Sequence, residues 1–189
     1  MVLAIMAAGV FNTAFAQDPG GNADAMKAWQ EAATPGKFHK MLDVNVGKWD
    51  AEMKMWMGPG EPVKSTGTEE CRWVMGGRYL EQNFKGTAMG MPMEGKGFTG
   101  YDNFNKKYVG FWIDNFGTGM ATMDGQMDPD GKTLTLNGTM DEPATGQHAK
   151  PVRYIARVLD QNTRVFEMHD LTLPEPNTKV MEITYKRKK

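Results

Sequence analysis

From Val46 onward the chain alternates with a period of two, and this rhythm constrains its fold more than any other feature. In Gly47-Lys48-Trp49-Asp50-Ala51-Glu52-Met53-Lys54-Met55 the odd positions are small or apolar and the even positions charged. Successive strand side chains point to opposite faces, so the pattern predicts a strand with one buried and one solvated face. Gly58-Pro59-Gly60 ends it. Similar segments follow over about 63–75, 78–89, 94–104, 108–116, 119–127, 132–141, 149–159, 164–173 and 179–187. Turn residues separate them: Gly76-Gly77, Pro92, Asn103 to Lys106, Gly117, Pro129-Asp130-Gly131, Gln161-Asn162 and Pro174 to Asn177. Short connections force antiparallel neighbours, and closure removes exposed sheet edges. The expectation is a mainly β chain, an antiparallel up-and-down barrel of about ten strands, with an open sandwich as the alternative.

Two short helical stretches are expected before the sheet. Ala25 to Ala33 carries Met26, Trp29 and Ala33 on one face. Thr34-Pro35, a cap followed by proline at the first helical position, opens Pro35 to Asp43, where Phe38, Met41 and Leu42 recur at helical spacing. His39 beside this stripe reads as a surface or boundary residue. Earlier still, Val2 to Phe11 is apolar and uncharged, and Ala14-Phe15-Ala16 fits the small-x-small rule for signal peptidase. Residues 1–16 therefore read as a signal peptide, 17–34 as a linker and short helix, and 35–189 as the barrel domain. The expected location is periplasmic or secreted. The apolar run is shorter than the roughly 20 residues of a membrane span, and no span is expected in the mature chain. No cysteine follows the cleavage site, so no lipid anchor is expected.

Net charge is −1 and pI about 6.3, so no global field recruits nucleic acid or an acidic membrane. The basic run Lys186 to Lys189 reads as a solvated tail. Cys71 is the only cysteine. It excludes an internal disulfide and a cysteine-based zinc or iron–sulfur site, and is expected to be a small buried thiol. Asp128-Pro129-Asp130-Gly131 lacks the further acidic ligands of a calcium loop and reads as a turn. No phosphate loop or nucleophile elbow occurs, the histidines lack metal-ligand spacing, and Ser65 is the only serine. No catalytic residue or cofactor is assigned, and the chain reads as a binder sooner than an enzyme.

If Gly76-Gly77 closes a two-residue hairpin, Met75 faces Arg78, Trp73 faces Leu80 and Cys71 faces Gln82. Trp73, Met75, Leu80 and Phe84 then share a face with Arg78 and Gln82. An apolar wall with a few placed polar groups describes a small-molecule pocket, and equally a plain barrel core. Tyr108 to Phe116 is apolar on both faces yet contains Asp114. A buried carboxylate must be paired or shift its pKa; Arg78 or Arg153 is the candidate partner, and capping of the Asn115–Gly119 turn is the other reading. The candidate ligand-binding residues are Trp73, Arg78, Gln82, Tyr101, Trp112 and Asp114. His169 reads as a surface strand residue.

Methionine is abundant, with 17 in the chain. Strand alternation puts Met53, Met55 and Met57 on the buried face. Met89, Met91 and Met93 straddle Gly90 and Pro92, where they read as a flexible apolar lip over a pocket or, since thioethers select Cu(I), as a copper site.

Several short motifs arrive in a fixed order: Gly47-x-Trp49, Gly76-Gly77-Arg78-Tyr79-Leu80, Gly100-Tyr101-Asp102 with Lys106-Lys107-Tyr108, Trp112-Ile113-Asp114, Gly131-Lys132-Thr133-Leu134 and Met181 to Arg187. Together they resemble the bacterial family catalogued as domain of unknown function 1579, over roughly His39 to Lys188. That resemblance implies a fold and an exported compartment but no chemistry. The opening Gly-x-Trp with a terminal arginine is also similar to the calycin superfamily of lipocalins and fatty-acid-binding proteins. This implies Arg187 on the Trp49 ring, a cation–π contact closing one barrel end. The shortness of the strands leaves open a barrel filled by its own side chains. The reading that follows is an exported calycin-like barrel for a small hydrophobic or amphipathic ligand. A solid barrel acting as an interaction module, or a methionine Cu(I) site, is the alternative.

Overall fold

Two helices come first in the computed structural model, α1 (Pro19–Ala33) and α2 (Lys37–Lys40), followed by a 3-10 turn at Asp43–Asn45. Ten strands follow: β1 (Gly47–Met55), β2 (Val63–Val74), β3 (Tyr79–Ala88), β4 (Met91–Asp102), β5 (Lys107–Asp114), β6 (Ala121–Met127), β7 (Thr133–Glu142), β8 (Gln147–Asp160), β9 (Thr163–Asp170) and β10 (Lys179–Arg187). The structure describes residues 19–176 and 178–189; the expected signal peptide, 1–16, lies outside them. Each strand pairs antiparallel with its neighbours in sequence, and β1 also pairs with β10, so the sheet closes into a barrel. This is the mainly β up-and-down architecture that the alternation predicts. The barrel unit runs from Thr34 to Lys189, and α1 belongs to the unit before it. Among the described residues no helix is long and apolar enough to cross a membrane.

Strand β1 shows why the alternation folds this way. Trp49, Ala51 and Met53 are buried while Lys48, Asp50 and Glu52 are exposed. Met57 lies past the strand end and is 70% exposed, so it does not share the buried face of Met53. The β2–β3 register is the expected one, with Trp73 opposite Leu80 and Cys71 opposite Gln82. The connection is longer than expected, however. Val74 and Tyr79 are the last pair, and Met75, Gly76 and Gly77 turn with φ of 49°, 65° and 83°. Arg78 therefore sits in a turn instead of the wall, its Nη1 donating to the Met75 carbonyl at 3.0 Å. Between β3 and β4 the turn is Met89-Gly90, with φ of 52° and 77°, the positive pair that a two-residue hairpin needs. Pro92 is inside β4, opposite Thr87.

The expected helix over Pro35 to Asp43 shortens to α2 because the barrel claims its polar groups. In an up-and-down barrel the turns alternate between two ends, and the segment 34–46 crosses the end that bears the β2–β3 and β4–β5 turns. There Phe38 stacks on Tyr101 with centroids 4.4 Å apart, and Leu42 is buried. The Tyr108 hydroxyl donates to the Phe38 carbonyl at 2.9 Å, Trp73 Nε1 to Asp43 Oδ1 at 2.7 Å, and Asn103 Nδ2 to the Thr34 carbonyl at 2.7 Å. His39 is buried, not a boundary residue. Its Nδ1 accepts from the Gly36 amide at 3.1 Å, and burial, with Arg78 nearby, holds its pKa below the usual range. In α1, by contrast, Met26 and Trp29 are exposed.

One side chain fastens this plug. Arg187 lies 4.2 Å over the Trp49 ring, as the calycin resemblance implies. Its Nη1 and Nη2 donate to the carbonyls of Val46 and Val44 at 2.7 and 2.8 Å, and its Nε to that of Gln161 at 2.9 Å. Gly47 makes this approach possible: it has φ 126°, and a Cβ there would sit 2.7 Å from Arg187 Nη1. Replacing Arg187 by Met keeps the stem but leaves three carbonyls without their donor. The variant is expected to lose about 2–4 kcal/mol of stability, read as a lower urea midpoint at constant slope. An unchanged midpoint would contradict the clamp.

Candidate ligand-binding cavity

The barrel interior is not solid. It encloses a cavity of about 220 Å³. For comparison, a void of about 150 Å³ admits benzene and drug-sized pockets begin near 300 Å³, so this one suits roughly nine or ten non-hydrogen atoms. Much of the wall is Leu80, Phe84, Leu134, Leu136 and Phe166, and much of the rest is thioether, from Met41, Met53, Met93, Met123, Met127 and Met181. Methionine side chains are unbranched and adaptable, so this wall can change shape around an occupant.

Of the six candidate ligand-binding residues, the structure brings three to the cavity: Gln82 from β3, and Trp112 and Asp114 from β5. Gln82 Oε1 accepts from the Thr99 hydroxyl at 3.2 Å. The Trp112 indole lies against Gly95 and Gly97 of β4. A Cβ at Gly95 would overlap its ring, and one at Gly97 would come within 2.8 Å. Trp112 Nε1 donates to Asp114 Oδ2 at 2.8 Å, and the Phe116 amide to Asp114 Oδ1 at 2.9 Å. Asp114 thus orients the indole and caps the following turn. Neither expected arginine reaches it, since Arg153 Nε donates to Asn137 and Arg78 to its own turn. Trp73, Arg78 and Tyr101 do not line the cavity. Trp73 and Tyr101 are taken up by the plug, Trp73 bonded to Asp43 and Tyr101 packed between Phe38 and Tyr108. Met93 lines the cavity, whereas Met89 and Met91 are exposed at the rim. His169 is half-buried, with Nδ1 3.0 Å from Thr178 Oγ1 and Nε2 3.6 Å from Glu167.

Sequence reasoning missed the most polar part of the wall. Register sets Trp49 opposite both Glu69 and Arg187, and Tyr185 opposite both Ala51 and Arg164, which gathers four strands at one place. The buried Glu69 carboxylate accepts from Arg164 Nη2, from the Cys71 thiol at 3.0 Å and from the Tyr185 hydroxyl at 3.1 Å. Arg164 Nη1 donates to Asn45 Oδ1 at 3.0 Å, and its guanidinium lies over Trp49 (4.5 Å) and Tyr185 (4.2 Å). Burial pushes the Tyr185 phenol and the Cys71 thiol well up, and Glu69 adds to both shifts. Both stay neutral, while burial opposes the Arg164 charge and its neighbours, Glu69 foremost, together more than offset that. A signal was available. Glu69 has the parity of Cys71 and Trp73, and Arg164 that of Phe166, so both belonged to the inward face.

Comparison with known proteins supplies the relationship. The sequence profile described as protein of unknown function DUF1579 matches residues 34–187. The chain belongs to this family. No curated protein matches it. The DUF1579 barrel is similar to Rv2717c from M. tuberculosis, with TM-score 0.60 and 13% identity, covering 82% of this chain and 100% of that one. It is also similar to the S-type phycobiliprotein lyase CPES from Guillardia theta, with TM-score 0.53 and 10% identity, covering 85% of this chain and 97% of that one. These likenesses place the fold among calycin-like barrels.

Two measurements check the DUF1579 cavity wall. Cys71, buried and held as the thiol, is expected to resist a water-soluble disulfide reagent at about pH 8 and to react fully on unfolding. Prompt labelling of the folded protein would contradict its placement. Gly95→Ala is expected to displace Trp112 and cost about 1–3 kcal/mol, visible as a lower denaturation midpoint and altered tryptophan emission.

Proposed function

We propose that this barrel is exported and holds one small, partly apolar molecule in its interior. The carrying observation is the cavity itself: about 220 Å³, walled by aliphatic, aromatic and thioether side chains, with a few polar groups at fixed positions. Apolar surface supplies affinity in such a site, and the convergent polar groups supply orientation. Export rests on the apolar run Val2 to Phe11 and the Ala14-Phe15-Ala16 motif. The fold is similar to that of a phycobiliprotein lyase, and closed antiparallel barrels of this general kind can enclose ligands. At 10% identity that likeness concerns the fold, so the ligand is read from the cavity.

Native mass spectrometry of protein isolated from its own host is expected to show a species heavier by one small organic molecule. Titration with 1-octanol, followed by calorimetry, is expected to saturate at one equivalent. Ala156 lines the cavity, and Ala156→Phe fills it. The variant is expected to lose at least about tenfold in octanol affinity, or 1.4 kcal/mol, while retaining its fold. Absence of uptake by the wild type, or equal uptake by the folded variant, would refute the proposal.

A further inference from the structure

We propose that the cavity takes an uncharged, oxygen-bearing ligand and excludes carboxylates, although an arginine stands in its wall. This rests on the binding function proposed above and adds the chemical class of the ligand.

A buried arginine beside apolar walls invites assignment as an anion anchor. Here its capacity is already used. Arg164 Nη2 donates to Glu69 and lies 3.6 Å from Cys71 Sγ, Nη1 donates to Asn45, and Trp49 and Tyr185 cover the guanidinium. The two groups that could change the local charge, the Cys71 thiol and the Tyr185 phenol, both donate to Glu69. The cluster therefore sums to zero: one carboxylate, one guanidinium and two neutral donors.

An entering carboxylate meets Arg164 and Glu69 together, so attraction and repulsion nearly cancel while the cost of stripping its water remains. The rest of the wall does not help it. Asp114 adds a second carboxylate, Arg157 lies on the outer face of β8 and is paired with Glu167, and Lys132 is exposed in the β6–β7 turn. The uncharged polar side chains in the wall include Gln82 and Thr99, with Gln82 Oε1 accepting from the Thr99 hydroxyl. The Gln82 amide is a donor, and a hydroxyl, ketone or amide oxygen satisfies such a donor without bringing a charge. Size and chemistry together point to a medium-chain alcohol, ketone or amide.

The test compares 1-octanol, octanamide and octanoate, equal in chain length, on the full chain by calorimetry at neutral pH. Octanol and octanamide are expected to bind at least about tenfold more tightly than octanoate. Octanoate binding as tightly as octanol overturns this inference and leaves the cavity reading standing; uptake of none of the three overturns both. Glu69→Gln removes the compensating charge and keeps an acceptor for Tyr185 and Cys71. In it the ratio of octanoate to octanol affinity is expected to rise at least about tenfold, and an unchanged ratio counts against the proposal. Should this variant fail to fold with an unpaired guanidinium inside, Glu69→Gln with Arg164→Gln replaces it. That double variant carries neither charge and is expected to prefer octanol; equal binding of octanoate overturns the proposal.

Discussion

Trp49 lies under two guanidiniums, Arg187 at 4.2 Å and Arg164 at 4.5 Å, and the rest of the barrel is arranged around that stack. An up-and-down barrel has one expensive pairing, between its first and last strands, because nearly the whole chain must be ordered before they meet. Here that pairing joins β1 to β10, with Trp49 opposite Arg187. Cation–π attraction gives the correct register an advantage that backbone hydrogen bonding, indifferent to side-chain identity, does not. Arg187 also reaches the carbonyls of Val44, Val46 and Gln161, so closure of the sheet and seating of the plug are one event. Gly47 belongs to the same device, since any side chain there would occupy the guanidinium's place.

The second guanidinium turns closure into a site. Arg164 extends the stack from Trp49 to Tyr185 and delivers its charge to Glu69, so the cavity acquires a polar pole already neutralised from within. A buried pair of this kind is a weak source of stability, because desolvation consumes much of its attraction. Its effect is better described as specification. Removing either partner leaves an uncompensated charge in the wall, and keeping both leaves a surface that favours neither anions nor cations.

How much of this is legible in the sequence depends on which coordinate is asked for. Alternation reports which face a side chain occupies, and it put Gln82 on the face of Leu80 and Phe84 that lines the interior; for Trp112 and Asp114, in a run apolar on both faces, it left the face open. It does not report depth along the barrel axis. Trp73 and Tyr101 have the right neighbours but lie at the end that segment 34–46 covers, so the plug receives them before a ligand can. Glu69 and Arg164 were overlooked for the opposite reason. Charge marks a residue as solvent-facing in a strand pattern, and only pairing across four strands shows that these two cancel each other inside. Turn chemistry was similarly ambiguous: Pro92 looked like a breaker, but positive φ at Met89 and Gly90 makes the hairpin and Pro92 joins the strand.

The wall divides into rigid and soft parts, and the division bears on selectivity. Trp112 is fixed by Asp114 on one side and by the glycine floor of β4 on the other, while the Glu69–Arg164 pole is held by Asn45, Cys71, Tyr185 and Trp49. Between them stand methionines, which change rotamer at little cost. A ligand's polar group therefore meets a surface that cannot adapt, and its apolar portion meets one that can. If the cavity binds as proposed, charge would be tested against fixed groups and volume against adaptable ones, so discrimination would be sharper by charge than by chain length or branching. The cavity of about 220 Å³ thus combines a hydrogen-bonded polar pole with a largely thioether wall.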